Sequence, residues 1–321
     1  MKRRDFLKNS VSAAAILKCF PPDLTAIQRE IRSGGLERRS LGRTGERLSL
    51  IGFGGIVVMN ATTEQAALRV TEAIEAGVNY FDVAPSYGNA EEMLGPALEP
   101  HRKNVFLACK TQQRTGEGAS AELERSLKRM RTDHFDLYQH HAVTKLTDVE
   151  TILGPKGAME TFVAARKAGK VRFLGFSAHS VEAALALIQG FEFDTILYPV
   201  NYAIWYGGNF GPQVLAKARE KKMGILALKA LAKRPWPQGA DRSAYPKCWY
   251  EPLSNPDEAM MGLRFTLSHP VTAAMPPGDE NIYKMALGLA ARFKPLSAQE
   301  VETMKQKGLN TPPLFKYPQE G

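Results

Sequence analysis

The sequence predicts an α/β fold, a (β/α)8 TIM barrel of parallel strands with an N-terminal hairpin. Short apolar runs alternate with amphipathic stretches from residue 37 onward, and eight such pairs follow one another. Alternation at this spacing is typical of parallel strands joined by crossover helices, and eight units close a barrel. No Gly-x-Gly-x-x-Gly motif follows the first run, which disfavours the second possibility, a doubly wound open sheet.

Each strand is expected where an apolar run precedes a helical pattern. In chain order the runs are 48–55, 78–83, 104–110, 135–141, 171–177, 193–202, 224–230 and 271–277. The first helix, over 62–77, begins at a capping threonine and ends at a glycine. Later helices are expected from residue 91 and over 118–130, 157–169, 180–190, 211–222, 256–268 and 279–293. Residues 38–50, with glycines between short apolar segments, predict a hairpin that closes the barrel floor.

The chain is divided into a leader, residues 1–35, and one barrel, residues 36–321. Arg3 and Arg4, within KRRDFLK, resemble a twin-arginine export signal and precede a short apolar stretch. This motif predicts the twin-arginine translocase as a partner and a periplasmic or cell-envelope location. A solvated basic tail on a cytoplasmic protein is the alternative. No stretch elsewhere reaches the roughly twenty apolar residues that span a bilayer, so stable membrane insertion is not expected.

Composition excludes several classes of protein. The 321 residues are 44% hydrophobic and 23% charged, which is typical of a globular protein rather than a disordered one. The net charge is +9, of which the first twenty residues carry +4. The sequence has no basic stripe with interleaved aromatic residues, so nucleic-acid binding is not expected. Three scattered cysteines are too few for a disulfide framework or a zinc site.

Chemistry-bearing side chains follow three consecutive predicted strands. The second strand ends at Asp82 with Tyr87 just beyond it, the third ends at Lys110, and the fourth ends at His140 and His141. In such barrels the active site lies at the carboxyl ends of the strands. A buried Asp82 requires a cation, and Lys110 is the nearest candidate. Lys110 is also expected to lower the pKa of Tyr87, so that the phenol donates a proton while a histidine orients a carbonyl oxygen.

Four segments resemble the aldo-keto reductase family. They are FDVAPSYG (81–88), LACK (107–110), FDLYQHH (135–141) and GKVRFLGFS (169–177), in order at the predicted strand ends. The resemblance implies NADP(H)-dependent reduction of an aldehyde or ketone by hydride transfer from the nicotinamide. It implies general acid catalysis by Tyr87. The complete set of catalytic residues that it implies is Tyr87, Lys110, Asp82 and His141.

The resemblance also implies where the cofactor binds. NADP is expected, with NAD as the alternative, because Asp279 and Glu280 would repel a 2′-phosphate. Ala178 and Leu197 stand where the family commonly has amide side chains that contact the nicotinamide. Lys229 is expected at the pyrophosphate. The full set of expected cofactor-binding residues is Gly54, Asp82, Ser177, Asn201, Lys229, Gly278 and Asn281.

Several residues have two readings. Trp205, Tyr206 and Trp236 either wall a substrate pocket or pack within their loops. His140 is expected to face a helix, and His179 with Ser180 to cap one. The substrate is expected to be a small carbonyl compound or alcohol, such as a sugar or a sugar-derived aldehyde. A regulatory or redox-sensing barrel that binds a nucleotide with little turnover is the alternative function. A metal-dependent hydrolase is disfavoured, because no His-x-His follows the first strand and no metal site is expected.

Overall fold

Eight parallel strands form one sheet in the computed structural model, which describes residues 35–318. The predicted barrel is confirmed. Its strands are β3 Phe53–Gly54, β4 Tyr80–Asp82, β5 Phe106–Thr111, β6 Phe135–Val143, β7 Val171–Ala178, β8 Thr195–Pro199, β9 Gly224–Leu228 and β12 Ala273–Met275. They pair in chain order, and a parallel bridge between Ile51 and Ala274 joins the first strand to the last.

Two antiparallel ribbons accompany the barrel. The predicted hairpin is confirmed as β1 Arg38–Ser40 paired with β2 Arg47–Ser49. The second ribbon, β10 Ala232–Arg234 with β11 Glu251–Pro252, was not predicted from the sequence and brackets the long loop after β9. The predicted run 48–55 is therefore divided, because its first part pairs in the hairpin and its last part pairs with β4.

Helices follow the strands on the outside of the barrel. Among residues 35–318 they are Thr63–Glu75, Ala90–Leu98, Gly116–Arg129, Leu146–Leu153, Ala158–Lys167, Val181–Gly190, Pro212–Glu220, Pro256–Leu267, Glu280–Ala291 and Ala298–Leu309. Single turns at Gly55–Val58 and Glu99–Asn104 are 3₁₀-helical, and Ala203–Gly207 is π-helical. Thr62 caps the first helix in a capping box with Gln65, as the threonine predicted. Leu146–Leu153 was not predicted.

The hairpin closes one end of the barrel. Its Leu41 and Leu48 are fully buried with the inward-facing side chains of the strands, including Tyr80, Phe106 and Leu137. Gly42 has φ +52°, and a Cβ there would lie 2.2 Å from the backbone nitrogen of Gly224, so only glycine fits this approach. Because this end is filled by apolar side chains, the opening of the barrel lies at the carboxyl ends of the strands.

The predicted leader, residues 1–35, falls almost wholly outside the described residues. Export by the twin-arginine route and a periplasmic location stay predictions that rest on Arg3 and Arg4. Within residues 35–318, no helix combines the length and the apolar character that crossing a bilayer requires.

Candidate active site

A buried ion pair lies at the carboxyl ends of β4 and β5. Lys110 Nζ donates hydrogen bonds to Asp82 Oδ1 and, at 3.3 Å, to the backbone oxygen of Val83. Both side chains are buried, with 0% of Lys110 and 2% of Asp82 exposed. Burial lowers the pKa of Lys110, but the charge and the hydrogen bond of Asp82, together with further neighbours, outweigh burial and raise it, so the amine stays protonated.

Two further side chains inside the barrel hold Asp82. Tyr80 Oη donates to Asp82 Oδ2 at 3.1 Å, and Gln139 Nε2 donates to the same oxygen at 3.2 Å. Both are fully buried. Sequence reasoning missed them, although Tyr80 lies two residues before Asp82 and therefore shares its face of β4. These donors occupy Oδ2 of Asp82 and hold its carboxyl group in position beside Lys110.

Tyr87 lies beside this pair. Its Oη is 3.4 Å from Lys110 Nζ, and the amine lies 5.1 Å from the centre of the phenol ring. The expected lowering of the Tyr87 pKa is wrong: burial raises it, and this effect outweighs the opposing charge of Lys110. Tyr87 is therefore a protonated phenol at neutral pH, whose O–H is available to donate.

His141 faces Tyr87 edge to face, with 5.6 Å between the ring centres. Burial, followed by the charge of Lys110, lowers the pKa of His141 well below its usual value, so the ring is neutral. Its Nδ1 lies 3.3 Å from Ser86 Oγ. A neutral imidazole has one donor and one acceptor, so Ser86 can donate to Nδ1 and leave the proton on Nε2. His141 is then a neutral hydrogen-bond donor beside the phenol.

His140 points the other way, as strand alternation predicts. Its ring stacks on Phe162 of the helix Ala158–Lys167, with 3.9 Å between the ring centres. It is fully buried, and neither ring nitrogen has a hydrogen-bond partner among residues 35–318. His140 therefore contributes to packing between the sheet and its helix.

A cavity of about 250 Å³ joins the expected site residues. Asp82, Tyr87, Lys110 and His141 all line it, which brings together side chains from three consecutive strands. Four of the expected cofactor positions also line it: Gly54, Ser177, Lys229 and Gly278.

Two expected cofactor residues do not line the cavity. Asn201 is buried, and its Nδ2 donates to the backbone oxygens of Lys229 and Ala232, each at 3.2 Å. Its Oδ1 accepts from the nitrogen of Ile204 at 2.8 Å, so its amide is used to hold loops together. Asn281 is exposed in the first turn of its helix, where its backbone N–H donates to Asp279.

The aromatic residues expected at the substrate pocket lie elsewhere, in favour of the loop-packing reading. Trp205 packs against His269, with 4.3 Å between ring centres, and Tyr206 packs against Phe265 at 5.7 Å. Trp236 Nε1 donates to the backbone oxygen of Cys248 at 2.9 Å. Trp249 and Tyr250 line the cavity in their place.

His179 and Lys247 also line the cavity, and the sequence did not indicate either. Ser180 caps the helix Val181–Gly190 as expected, but His179 does not share that role. The Nε2 of His179 is buried without a partner among the described residues. Lys247 Nζ donates to the backbone oxygens of Ile56 and Val57 at 3.0 and 3.1 Å, which fastens the loop after β9 to the loop after β3.

Only glycine fits at position 278, which lines the cavity. A Cβ on Gly278 would lie 2.1 Å from Ile56 Cγ2, and the helix Glu280–Ala291 begins just beyond. Asp279 caps this helix through the N–H groups of Asn281 and Ile282. Glu280 forms ion pairs with Arg69 and Lys284, so the repulsion of a phosphate expected from its charge is offset.

Residues 50–249 match the sequence profile of the Aldo/keto reductase family. The chain belongs to this family. It is similar to the uncharacterized oxidoreductase YqkF of Bacillus subtilis, with 24% identity over 84% of this chain and 96% of that protein. L-galactose dehydrogenase of Arabidopsis thaliana is 29% identical over 61% of this chain and 66% of its own. An aldo-keto reductase of Bacillus halodurans in its holo form has the same fold, with a TM-score of 0.69 at 22% identity over 88% of this chain and 99% of its own.

The protein is thus an oxidoreductase of the aldo-keto reductase type, and its barrel matches the architecture of solved structures of such enzymes. The predicted family membership is confirmed. The roles of individual site residues, the choice of cofactor and the substrate stay proposals.

The buried imidazole of His140 is expected to make the stability of the protein depend on pH. Burial lowers its pKa from 6.5 to about 3, so between these pH values the unfolded chain binds a proton that the folded protein does not. Stability therefore falls as the pH drops below 6.5, by about 2 kcal/mol at pH 5. We expect the free energy of unfolding to fall by about 2 kcal/mol less in His140→Leu than in the wild type between pH 7 and 5. Denaturant titrations at both pH values measure this, and equal losses would contradict it.

Proposed function

We propose that this protein is an NADP(H)-dependent oxidoreductase that reduces an aldehyde or ketone, with Tyr87 as the general acid. The observation that carries the proposal is the 3.4 Å approach of Tyr87 Oη to Lys110 Nζ on the wall of a cavity that His141 also lines. An oxygen atom held between Tyr87 and His141 would meet two neutral hydrogen-bond donors near one fixed positive charge. That arrangement stabilises a carbonyl oxygen that is gaining negative charge.

The proton transfer follows from the state of each group. Tyr87 is protonated before the reaction because burial raises its pKa. Once it donates its proton, the phenolate lies beside the ammonium of Lys110, which stabilises the new negative charge. Asp82 holds that ammonium in place and keeps it charged. His141 donates a hydrogen bond without losing a proton, which orients the carbonyl for hydride transfer.

The residues around the cavity fit a nicotinamide cofactor, which would supply the hydride. Ser177 Oγ accepts from the backbone nitrogen of Ala142 at 2.7 Å, so its own hydrogen remains available for a carboxamide oxygen. Gly54 and Gly278 line the cavity, and a Cβ on Gly278 would clash with Ile56. Leu197 and Leu228 offer apolar surface to a ring. These residues of the chain would bind and orient the nicotinamide end.

We infer a preference for NADP over NAD from a pair of cations near Gly278. Arg69 and Lys247 both donate to the backbone oxygen of Val57, at 3.0 and 3.1 Å, so two positive charges converge there. Their mutual repulsion is among the causes that lower the pKa of Lys247, after burial. Arg69 is already paired with Glu280, so Lys247 is the member of this pair that a phosphate would meet without displacing a carboxylate.

The cofactor preference is measured by fluorescence titration of the purified protein with NADPH and NADH. We expect NADPH to bind at least about tenfold more tightly, because a charge-assisted contact with a phosphate is worth roughly that factor. Equal affinities, or tighter binding of NADH, would reassign the preference to NAD.

The general acid is tested with Tyr87→Phe. We expect this variant to lose at least about 100-fold in the turnover number for carbonyl reduction, because the ring remains but the proton does not. Binding of NADPH should be unchanged within about twofold, since the hydroxyl is directed at the reacting oxygen. Tyr283→Phe removes another buried hydroxyl, one away from the cavity lining, and is the matched control. Undiminished turnover in Tyr87→Phe would remove Tyr87 from the acid role.

The same assays distinguish the proposed reductase from the alternative, a nucleotide-binding regulatory barrel with little turnover. Ala178 and Leu197 replace amide side chains that are common in the family, which weakens the expected hold on the nicotinamide. Tight nucleotide binding without steady-state reduction of a broad set of aldehydes and ketones would favour that alternative.

A further inference from the structure

Lys229 is a charged side chain on the cavity wall that the proposed proton transfer does not use. It follows β9 directly and has φ +68°, a left-handed conformation that is uncommon for any residue other than glycine. Its Nζ lies 4.8 Å from the ring centre of Trp249 and 4.9 Å from that of Tyr250. The two rings hold the amine at the cavity.

No carboxylate of residues 35–318 lies within 4.0 Å of Lys229 Nζ, so this half-buried side chain has no ion pair there. The free energy of an ammonium in such a place is high unless an anion joins it. Burial lowers the pKa of Lys229 to about 8, which still leaves the group charged at neutral pH. Contacts with the faces of two aromatic rings compensate part of the cost.

The other polar groups on the cavity wall already have partners or are neutral. Asp82 is bound by Lys110, and Lys247 donates to two backbone oxygens. The pKa values of His141 and His179 are lowered, by burial first, so neither ring carries a charge. Among the described residues that line the cavity, Lys229 is therefore a cation with neither a carboxylate nor a backbone oxygen as a hydrogen-bond partner.

Lys229 lines the same cavity as Tyr87, Lys110 and His141. Its charge is among the causes that lower the pKa values of both His141 and His179, after burial. Trp249, beneath its amine, packs against Phe315 of the C-terminal segment, and Phe315 stacks on His179.

We propose that Lys229 forms an anion subsite beside Tyr87 and His141, and that the substrate is a small carbonyl compound bearing a carboxylate or a phosphate. This proposal rests on the proposed reductase function. The cavity of about 250 Å³ would also hold the nicotinamide end of the cofactor, so the space left for the substrate is small and favours a short one. An anionic group on Lys229 would hold such a substrate with its carbonyl toward Tyr87.

The test compares matched charged and neutral substrates in the wild type, Lys229→Met and Lys229→Arg, with saturating NADPH. The pairs are 4-oxobutanoate with butanal, and glyceraldehyde 3-phosphate with glyceraldehyde. We expect the wild type to favour the charged member of at least one pair by roughly 10- to 100-fold in kcat/KM, as a charge-assisted contact provides. In Lys229→Met this ratio should fall toward one, and Lys229→Arg should retain part of it. The pair with the larger ratio of kcat/KM shows whether the subsite prefers a carboxylate or a phosphate.

Lys222 supplies the matched control, because it is also a lysine with positive φ, +54°, but is exposed outside the cavity lining. Lys222→Met should keep the wild-type ratio. A ratio near one for both pairs in the wild type would overturn the proposal. So would a Lys229→Met variant that keeps the ratio but binds NADPH at least tenfold more weakly, because Lys229 would then hold the pyrophosphate of the cofactor.

Failure of the proposed function would be recognised separately, by absence of turnover with every substrate. Calorimetric titration with 4-oxobutanoate and with glyceraldehyde 3-phosphate then tests the subsite without catalysis. Binding of either to the wild type that is lost in Lys229→Met supports the subsite, and absence of binding of both to the wild type contradicts it.

Discussion

The buried ion pair between Lys110 and Asp82 is the interaction on which the site depends. An ammonium or a carboxylate alone in this barrel would be very costly, so each requires the other. Tyr80 and Gln139 complete the hydrogen bonds of Asp82 from inside the barrel. The fixed positive charge that results acts on Tyr87. The proposed chemistry at the rim therefore rests on polar groups packed below it in the barrel.

The sequence was sufficient to predict the barrel and to select four residues that line one cavity, whose catalytic roles stay proposals. The alternation of apolar runs with amphipathic helices is a local sequence pattern, and it predicts the barrel. In such a barrel the carboxyl ends of the parallel strands meet at one rim. Asp82, Lys110 and His141 lie on or next to strands, where position along the chain determines position in space. The same alternation predicts that His140 faces away from His141 and packs on a helix.

Loops could not be predicted in this way. Trp205, Tyr206 and Trp236 were candidates for the pocket wall because they follow strands, but the long segment after β9 folds back so that Trp249 and Tyr250 reach the cavity. The pKa of Tyr87 was expected to fall because Lys110 is close, whereas the extent of burial, which no sequence pattern states, decides its direction. The sequence suggested Lys229 as a cofactor contact. In the structure, Lys229 has no ion pair and its amine lies over two aromatic rings, and these two features suggest that it binds a substrate anion.

The most direct measurement of the central claim is a double-mutant cycle on the ion pair, with the free energy of unfolding measured for Lys110→Met, Asp82→Asn and the double variant. Each single change leaves one polar partner buried without its counterion and should cost about 3–5 kcal/mol. If the pair organises the site, the double variant should cost at least about 2 kcal/mol less than the two single costs added together. Strictly additive costs would show that Lys110 and Asp82 do not depend on each other and would contradict the account.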